Sequence, residues 1–452
     1  MFTSNTRTIF SSSAPKIALD EEFPGLPPAV PSVPAEKSIS KVTTLDNGVR
    51  VVSRDNHGPS ATIGLYLGQG PRAERDEVRG ASHIVSQLAF VQRSTSKTGL
   101  RINRELEDAG AKGWSGVGRE HIAFKASSLR PYVGVCADAV AEVALHSEFR
   151  PWDVAEGRER VKADQCSEKQ FEDAIHSAAF YDTCTLGKST VAPQDNIESL
   201  SRDGLVSFMG SLTDPSNIVI AGVNVSHDEL VNNAKSLCGH LESETGTSNE
   251  KAEYVGGETR IRGGGKNVKV SVAFPTPGGV DATPFQVLAE ILGSGSAYTK
   301  GRGLGQGNTR LGKAVSESGF VTSANGFAST HSDAGLVGIT AEAFADQGDQ
   351  LVDFIAANLK ALASGVSETE CNAAKNRLRL KHANMSSSEQ LDSMATQVLS
   401  TGSLVDLSAA ISNVTASSVA AAAKMALQSN PSIASSGNIS SVPRYNVVTK
   451  KF

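Results

Sequence analysis

Apolar and polar residues alternate with a period of two along the first part of the chain. Residues 43–52 predict a strand, an Asn-Gly turn and a second strand, and residues 61–67 predict a third strand. A glycine- and proline-containing segment, 68–71, ends this run. The pattern therefore predicts antiparallel strands that form the start of a sheet.

Further along the chain the apolar residues recur at the 3.6-residue spacing of amphipathic helices. Helices are predicted at 97–109, from Leu129 through Val143, at 153–181 as one bent segment, at 196–209, and from a Ser226 cap to Cys238. A hairpin ending in a strand at 121–126 and a buried strand within 214–222 lie among these helices. Hairpins mixed with long helices predict an α+β fold in which helices pack on a sheet.

The same order of segments returns in the second half of the chain. The segment 430–437 echoes 214–222, with an offset of 216 residues from Pro215 to Pro431. Three more pairs follow the same order: 268–274 with 61–67, 350–362 with the helix from 129, and 367–380 with 151–161. We therefore expect two tandem homologous domains, at 40–238 and 258–452, joined by a linker at 239–257. Each is predicted to hold a mainly antiparallel sheet with packed helices.

The short helix that begins after Gly80 carries the candidate chemistry. His83 and Gln87 lie one turn apart on the same helical face, which is the spacing of two metal ligands. An inverted zinc motif would place a second His at position 87 and a Glu at position 86. Here those positions hold an amide and the hydroxyl of Ser86, so a metal ligand and a general base are both missing. The helix predicts the frame of a metallopeptidase with no catalytic, metal-binding or cofactor-binding residue.

Composition narrows the class of protein. A chain of 452 residues exceeds the usual size of one hydrophobic core. A formal net charge of −5 without a long basic run argues against a nucleic-acid surface, and no apolar stretch reaches the ~20 residues that span a bilayer. The five cysteines form no CxxC pair, which suits a reducing compartment.

The first residues have the composition of a targeting segment. Residues 1–19 contain Arg7 and Lys16, many Ser and Thr, and no acidic residue. This is typical of an organelle transit peptide, and a disordered cytosolic tail is the alternative. The proline-rich stretch 24–34 is expected to be extended, so the ordered body should begin near Ser40 and residues 1–39 lie outside it.

A glycine-rich run at 293–307 invites a phosphate-binding interpretation. The segment 307–314 comes close to a P-loop, but Ala314 has no hydroxyl for magnesium, and the run follows a predicted helix at 282–292 where a P-loop follows a strand. We expect a flexible loop that lies over an extended peptide or a partner surface.

Two further polar pairs are given structural roles. His331 and Asp333 look like half of a catalytic dyad, but no Ser or Cys stands in a strained elbow, so we interpret them as exposed loop residues. Glu120 and His121 are neighbours on a strand and point to opposite faces, so they are not expected to bind one metal.

The segment 45–51, the His83 helix and the duplicated halves together resemble the pitrilysin-like metallopeptidase superfamily. Within it, the chain is most similar to the branch of the mitochondrial processing peptidase and the respiratory complex III core proteins. Active members carry His-x-x-Glu-His at the positions of 83–87 and a downstream Glu on the helix predicted at 153–181. That ligand would fall near Asp164 and Gln165, where no Glu stands, and Glu159 and Glu168 are the alternatives about one turn away.

Two groups within this branch lack the motif. One is the substrate-recognising α-subunit of the processing peptidase, and the other is core protein 2 of ubiquinol–cytochrome c reductase. The glycine-rich run does not match the α-subunit type, whereas four short segments resemble the core type: 288–295, 311–315, 332–338 and 373–378. The resemblance implies a non-catalytic core subunit needed for assembly and stability of complex III, with the α-subunit as the alternative. A zinc protease that uses His83 with an unconventional ligand is disfavoured because the base is missing.

The same resemblance implies the surroundings of the chain. It implies a core protein 1 or β-processing-peptidase-like partner, other complex III subunits including cytochrome b and cytochrome c1, and a dimeric complex. It also implies a peripheral position on the matrix side of the mitochondrial inner membrane. It implies no cofactor held by this chain.

Overall fold

The structure is a computed structural model that describes residues 38–181, 185–241, 250–298 and 308–452. The predicted transit peptide and the proline-rich stretch lie outside the described residues, as do the middle of the predicted linker and residues 299–307 of the glycine-rich run. The described residues belong to one unit, Ser38–Phe452.

The first sheet is built from the N-terminal half. Its six described strands are β1 (Ile39–Thr44), β2 (Arg50–Asp55), β3 (Ser60–Gly68), β4 (Lys112–Val117), β5 (His121–Leu129) and β6 (Ile218–Val223). They lie in the order β1-β2-β6-β3-β5-β4, with every neighbouring pair antiparallel except β2 and β6. The predicted Asn-Gly turn connects β1 and β2, and Gly48 has the positive φ of 97° that such a turn requires.

The helices of this half differ from the prediction at three points. They are α1 (Ala81–Leu88), α2 (Gly99–Asp108), α3 (Val133–Leu145), α4 (Pro151–Ala163), α5 (Ser167–Phe180), α6 (Gln194–Ile197), α7 (Arg202–Leu212) and α8 (His227–Cys238). Leu129 ends β5 and is 57% exposed, so the helix from 129 was placed too early. The segments 153–181 and 196–209 are each two helices rather than one.

Local hydrogen bonds explain these helix breaks. Ser201 caps α7 by accepting from the N–H of Gly204 at 3.2 Å, which ends continuity with α6. The chain between α4 and α5 turns at Asp164, whose backbone leaves the helical region. Ser226 precedes α8 as predicted, but its side chain accepts no capping hydrogen bond.

The second sheet repeats the first. Its six described strands are β7 (Glu258–Arg262), β8 (Asn267–Pro277), β9 (Ser294–Ser296), β10 (Val321–Thr330), β11 (Ala334–Phe344) and β12 (Ser432–Gly437). They lie in the order β7-β12-β8-β11-β10-β9. The helices are α9 (Thr283–Leu292), α10 (Arg310–Ser318), α11 (Gly348–Ala363), α12 (Glu368–Ala383), α13 (Ser387–Thr401), α14 (Leu407–Asn413), α15 (Ala416–Leu427) and α16 (Tyr445–Val448).

Five strands of each sheet correspond one to one. The order β2-β6-β3-β5-β4 matches β7-β12-β8-β11-β10, and the parallel pair β2 and β6 matches the parallel pair β12 and β7. The sheets differ at their edges, where β1 extends the first beside β2 and β9 extends the second beside β10. The predicted fold class, α+β with two homologous halves, is confirmed.

One helix from each half packs on the sheet of the other half. The residues of α13 that face sheet 1 are buried against β2, β3, β5 and β6, and they are Leu391, Met394, Ala395 and Val398. The residues of α5 that face sheet 2 are buried against β8, β11 and β12, and they are Phe171, Ala174, Ile175, Ala179 and Phe180. The opposite face of each sheet packs on helices of its own half. Both sheets are therefore covered on both faces, and one cover comes from the other half.

No helix in the part of the chain that the structure describes has both the length and the apolar character needed to cross a bilayer.

The exchange of helices predicts a large effect of a truncation in α13. Leu391→Ala removes a fully buried side chain between the two halves and should lower the free energy of unfolding by about 2–5 kcal/mol. The matched control is Leu380→Ala on α12, where the side chain is 41% exposed and the change should stay within about 0.5 kcal/mol. Urea unfolding of both variants measures this, and equal midpoints would contradict the packing described.

Candidate functional site

Helix α1 carries the predicted His83 and Gln87, and a buried carboxylate positions its first turn. Glu74 accepts hydrogen bonds from the backbone N–H groups of Gly80 (2.7 Å) and Ser82 (2.8 Å). Burial raises the pKa of Glu74 to about 7, although these two donors and the nearby Lys188 ammonium act in the opposite direction. Sequence reasoning missed Glu74, because nothing in the local spacing connects it to a helix that begins seven residues later, at Ala81.

Helix α4 packs against α1 and brings the third predicted position into place. Gly157 permits this approach, since a Cβ atom there would lie 3.0 Å from Cγ of Leu88. The end of α4 then presents Asp164 to His83 and Gln87. Asp164 is one of the two positions, 164 and 165, near which the resemblance places the downstream ligand.

The three side chains are hydrogen-bonded to one another. Oδ2 of Asp164 lies 3.2 Å from Nε2 of His83 and accepts a 2.7 Å hydrogen bond from Nε2 of Gln87. On the other side of the imidazole, the backbone N–H of Ala192 donates to Nδ1 of His83 at 3.2 Å. Nδ1 therefore carries no proton, and Nε2 carries the proton that it donates to Asp164.

These residues do not fit a hydrolytic zinc ion. A zinc ligand needs a free lone pair, but both ring nitrogens of His83 are already engaged, and Gln87 offers an N–H group. At the position of the missing base, Oγ of Ser86 lies 3.0 Å from Oγ of Ser115, which in turn donates to the Ser86 carbonyl. Within the described ranges, no three His, Cys, Asp or Glu side chains converge as metal ligands.

The protonation state of His83 follows from its surroundings. Burial lowers the pKa of His83 below its ordinary value, and the Asp164 carboxylate opposes this shift without reversing it. His83 is therefore neutral near pH 7, as its hydrogen bond from Ala192 also requires.

A second set of polar residues, which the sequence did not reveal, lies between the two halves. Arg72, only 3% exposed at its side chain, donates to Glu120 at 2.7 Å and to Asp333 at 2.6 Å. Glu120 also accepts from the backbone N–H of Ser332 at 2.9 Å. The interpretation of Asp333 as an exposed loop residue is wrong, because its carboxylate is paired with a buried cation from the other half.

His331 belongs to the same region, so its interpretation as an exposed residue is also wrong. Its Nε2 lies 3.3 Å from Nε2 of His176 on α5, and its Nδ1 lies 4.0 Å from Glu120. Asp333 turns away to Arg72, so the dyad suggested by the sequence does not form. His121, next to Glu120, instead packs its ring 5.7 Å from that of Tyr66.

The other motifs weighed from the sequence have structural positions. Lys188, which follows Gly187 on the segment between α5 and α6, donates to the carbonyl of Glu74 at 2.5 Å. The start of the glycine-rich run forms β9, which pairs with β10, and Thr309 then caps α10. Residues 299–307 of that run lie outside the described residues.

The fold and this site define a duplicated metallopeptidase scaffold whose metal-binding positions are hydrogen-bonded to each other. Two family models match the chain: "Insulinase (Peptidase family M16)" over residues 50–194 and "Peptidase M16 inactive domain" over residues 199–378. The chain belongs to the peptidase M16 family, as its resemblance to pitrilysin-like metallopeptidases predicted.

Relatives of two kinds match nearly the whole chain. The α-subunit of the mitochondrial processing peptidase of Solanum tuberosum is 27% identical, covering 94% of this chain and 87% of that protein. The α-2 subunit of Dictyostelium discoideum is 29% identical over 90% and 94%. Subunit 2 of the mitochondrial cytochrome b-c1 complex of Mus musculus is 27% identical over 95% of both.

A solved structure shares the fold. A chain of complex III2 from Candida albicans, determined with Inz-5 bound, superimposes with a TM-score of 0.79 at 20% sequence identity. The match covers 91% of this chain and 99% of that chain.

Acidification should destabilise the protein through His83. Because the folded-state pKa is depressed, this contribution to stability is present above the unfolded-state pKa of about 6.5 and is lost as the pH falls toward the folded-state value. In His83→Gln the amide stays neutral, so the stability difference between wild type and variant should shrink from about pH 7.5 to about pH 5, by at most about 1.4 kcal/mol per pH unit. Urea unfolding across this range measures it, and a difference that grows on acidification would contradict the tautomer assigned.

Gln87→His should restore metal binding. Two imidazoles one turn apart with Asp164 would form a chelate, and zinc coordination of about 10–16 kcal/mol in structural sites outweighs the Ala192 hydrogen bond of about 1 kcal/mol. We expect one zinc equivalent more than in the wild type, measured by equilibrium dialysis and metal analysis. Adding His83→Ala should remove that gain. No gain in the single variant would mean that the frame no longer positions these residues for a metal.

Proposed function

We propose that the chain is a non-catalytic core subunit, of the core protein 2 type, in the mitochondrial respiratory complex III (ubiquinol–cytochrome c reductase). The observation that carries this proposal is the engagement of His83, Gln87 and Asp164 with one another. A hydrolytic subunit needs lone pairs aimed at a metal and a base beside it, whereas here N–H groups surround a carboxylate and a serine replaces the base. Its role in the proposal is the assembly and stability of the complex.

One relative and the solved structure support complex III as the assembly to which the chain belongs. The murine relative is a subunit of the cytochrome b-c1 complex, and the solved structure with the shared fold is a complex III2. On this basis we propose a core protein 1 or β-processing-peptidase-like partner, contacts with further subunits including cytochrome b and cytochrome c1, and membership of a dimeric complex. The proposed location is the matrix side of the mitochondrial inner membrane, with the chain peripheral to the bilayer.

The domain division is part of the same proposal. The strands of the first sheet come from residues 39–223 and those of the second from 258–437, which supports halves at 40–238 and 258–452 with a linker between them. Residues 1–39 are proposed to contain the mitochondrial targeting segment.

The second candidate is the substrate-recognising α-subunit of the processing peptidase. It is favoured by the α-subunit relatives, which are 27% and 29% identical over nearly the whole chain, so sequence identity alone does not separate the two functions. In this candidate the glycine-rich run would contact a presequence, and a partner subunit would supply the zinc.

Purification of the native assembly tests the leading proposal. The full chain, tagged at its own locus, should co-purify from mild-detergent extracts of mitochondria with cytochrome b, cytochrome c1 and quinol–cytochrome c reductase activity. Extracts of untagged cells provide the control. Recovery of a soluble two-subunit peptidase without cytochromes would refute the core-subunit proposal in favour of the α-subunit.

A pair of deletions of equal size tests the second candidate. Removing residues 299–306 shortens the glycine-rich run, and removing 242–249 shortens the predicted linker by the same eight residues. After reconstitution with the partner, a core subunit should bind a fluorescent presequence peptide equally well, or equally poorly, in both variants. Loss confined to the 299–306 deletion would identify the run as a presequence-binding element and overturn the core-subunit proposal.

A further inference from the structure

One edge of the duplicated sheet is paired in the first half and open in the second. In sheet 1, β1 runs antiparallel along the outer edge of β2 over six residue pairs. In sheet 2 the matching strand is β7, and among the described residues no strand lies on its side away from β12. The first half therefore shows which kind of element this edge of the fold accepts, namely an antiparallel strand.

The pairing of β7 with β12 determines which backbone groups face the open edge. The outermost bonds between the two strands involve Gly257, whose carbonyl accepts at 2.8 Å, and Gly263, whose N–H donates at 3.0 Å. Backbone groups of successive strand residues point to opposite sides, so those of Glu258, Arg260 and Arg262 point away from β12. Within the described ranges, no backbone hydrogen bond reaches these outward groups. They are available to a further strand.

The charged side chains of β7 leave this edge uncovered. Glu258 accepts hydrogen bonds from Arg260 at 2.7 Å and from the backbone N–H of Tyr445 at 3.3 Å. Arg260 also donates to the carbonyls of Ile439 at 3.1 Å and Val442 at 2.8 Å. Charged side chains commonly protect a sheet edge from pairing, but here the C-terminal segment holds both of them on one face of the sheet.

The residues that precede β7 do not fold back as β1 does. The N–H groups of Val255 and Gly256 donate to the carbonyl of Ala179 on α5, at 2.9 Å and 3.3 Å. The N–H of Ala252 donates to Asp333 at 2.8 Å. This segment therefore follows α5 and the boundary between the halves, and the hairpin of β1 and β2 has no counterpart among the described residues of the second half.

Charge and shape indicate what the added strand should carry. Arg262 and Lys266 are exposed at the C-terminal end of β7, and neither has an ion pair within the part of the chain that is described. An antiparallel strand would begin beside them, where an acidic side chain is favoured. Ile261 packs on the apolar cluster under α5, so an apolar or β-branched neighbour would extend that contact.

We propose that the outer edge of β7 binds an extended segment of a partner protein, which adds to sheet 2 as an antiparallel strand in the place that β1 takes in sheet 1. Backbone hydrogen bonds supply the attraction, and an acidic residue opposite Arg262 with an apolar or β-branched residue beside Ile261 supplies the selectivity. The inference rests on the chain acting within a protein assembly, as both candidate functions require, and not on which assembly it is.

Hydrogen exchange resolved to single residues by mass spectrometry tests this edge. The isolated full chain is compared with the native assembly purified through a tag on this chain. The N–H groups of Glu258, Arg260 and Arg262 should exchange at least about tenfold more slowly in the assembly, since a hydrogen-bonded N–H exchanges only when the strand opens. The N–H groups of Thr259 and Ile261 point to β12, so they should be protected in both samples.

Two variants at one position separate a strand from other kinds of cover. Arg262→Pro removes an outward N–H without breaking a bond to β12, and proline is tolerated on edge strands in this orientation. Its assembly should lose the added protection at Glu258 and Arg260. Arg262→Ala removes the charge but keeps the N–H, so its assembly should retain most of that protection. Tm values of the isolated variants show whether both are folded.

Three results would overturn the proposal. One is protection of the outward N–H groups already in the isolated chain, because a segment of the chain itself would then cover the edge. The others are equal exchange in the isolated chain and the assembly, and protection that persists in Arg262→Pro. The subunits that co-purify identify the assembly in a separate measurement, so failure of this proposal and failure of the core-subunit proposal are distinguishable.

Discussion

The reciprocal exchange of α5 and α13 is the constraint on which the rest of the structure depends. A sheet buries apolar side chains on both faces only if both faces are covered, and here each half supplies just one of its two covers. Neither sheet would be shielded from water in an isolated half, so the two halves are stable together. The same exchange explains the break after α4. The chain must leave the first half there to reach sheet 2, and the break frees Asp164 to turn toward α1.

At α1 the charges are the reverse of those in a metal site. In a hydrolytic site, lone pairs of nitrogen and oxygen surround a cation, whereas here the N–H groups of His83 and Gln87 point at the carboxylate of Asp164. The Ala192 N–H determines this polarity because it occupies Nδ1 of His83 and leaves the proton on Nε2. Hydrogen bonds thereby connect α1 to the end of α4, which a metal ion would otherwise join. The side chains keep the positions of metal ligands but are paired with one another.

The sequence predicted the features that are encoded locally. The strand at Ile218–Val223 was recognised because it is buried on both faces and therefore reads as a continuous apolar run. The duplication was recognised from the repeated order of strands and helices. The predictions that failed concerned contacts between residues far apart in the sequence. The partner of Asp333 is Arg72, 261 residues away, and His331 contacts His176 across 155 residues. Spacing within a loop carries no information about the helix from the other half that covers it, so these side chains looked like exposed loop polarity.

The charged pairs between the halves explain why the exchanged helices take one position rather than several. Apolar helix faces tolerate sliding, but a buried charge that loses its partner costs about 3–5 kcal/mol. Lys125 in sheet 1, 9% exposed at its side chain, has its ammonium 2.6 Å from Asp392 on α13, and Tyr66 donates to the same carboxylate at 2.6 Å. Arg72 meets Asp333 in the same way elsewhere on the boundary. A shift of α13 by one turn, about 5.4 Å, would separate Lys125 from Asp392 and leave the ammonium buried without a partner. The apolar contacts therefore supply the attraction between the halves, while the ion pairs determine their register.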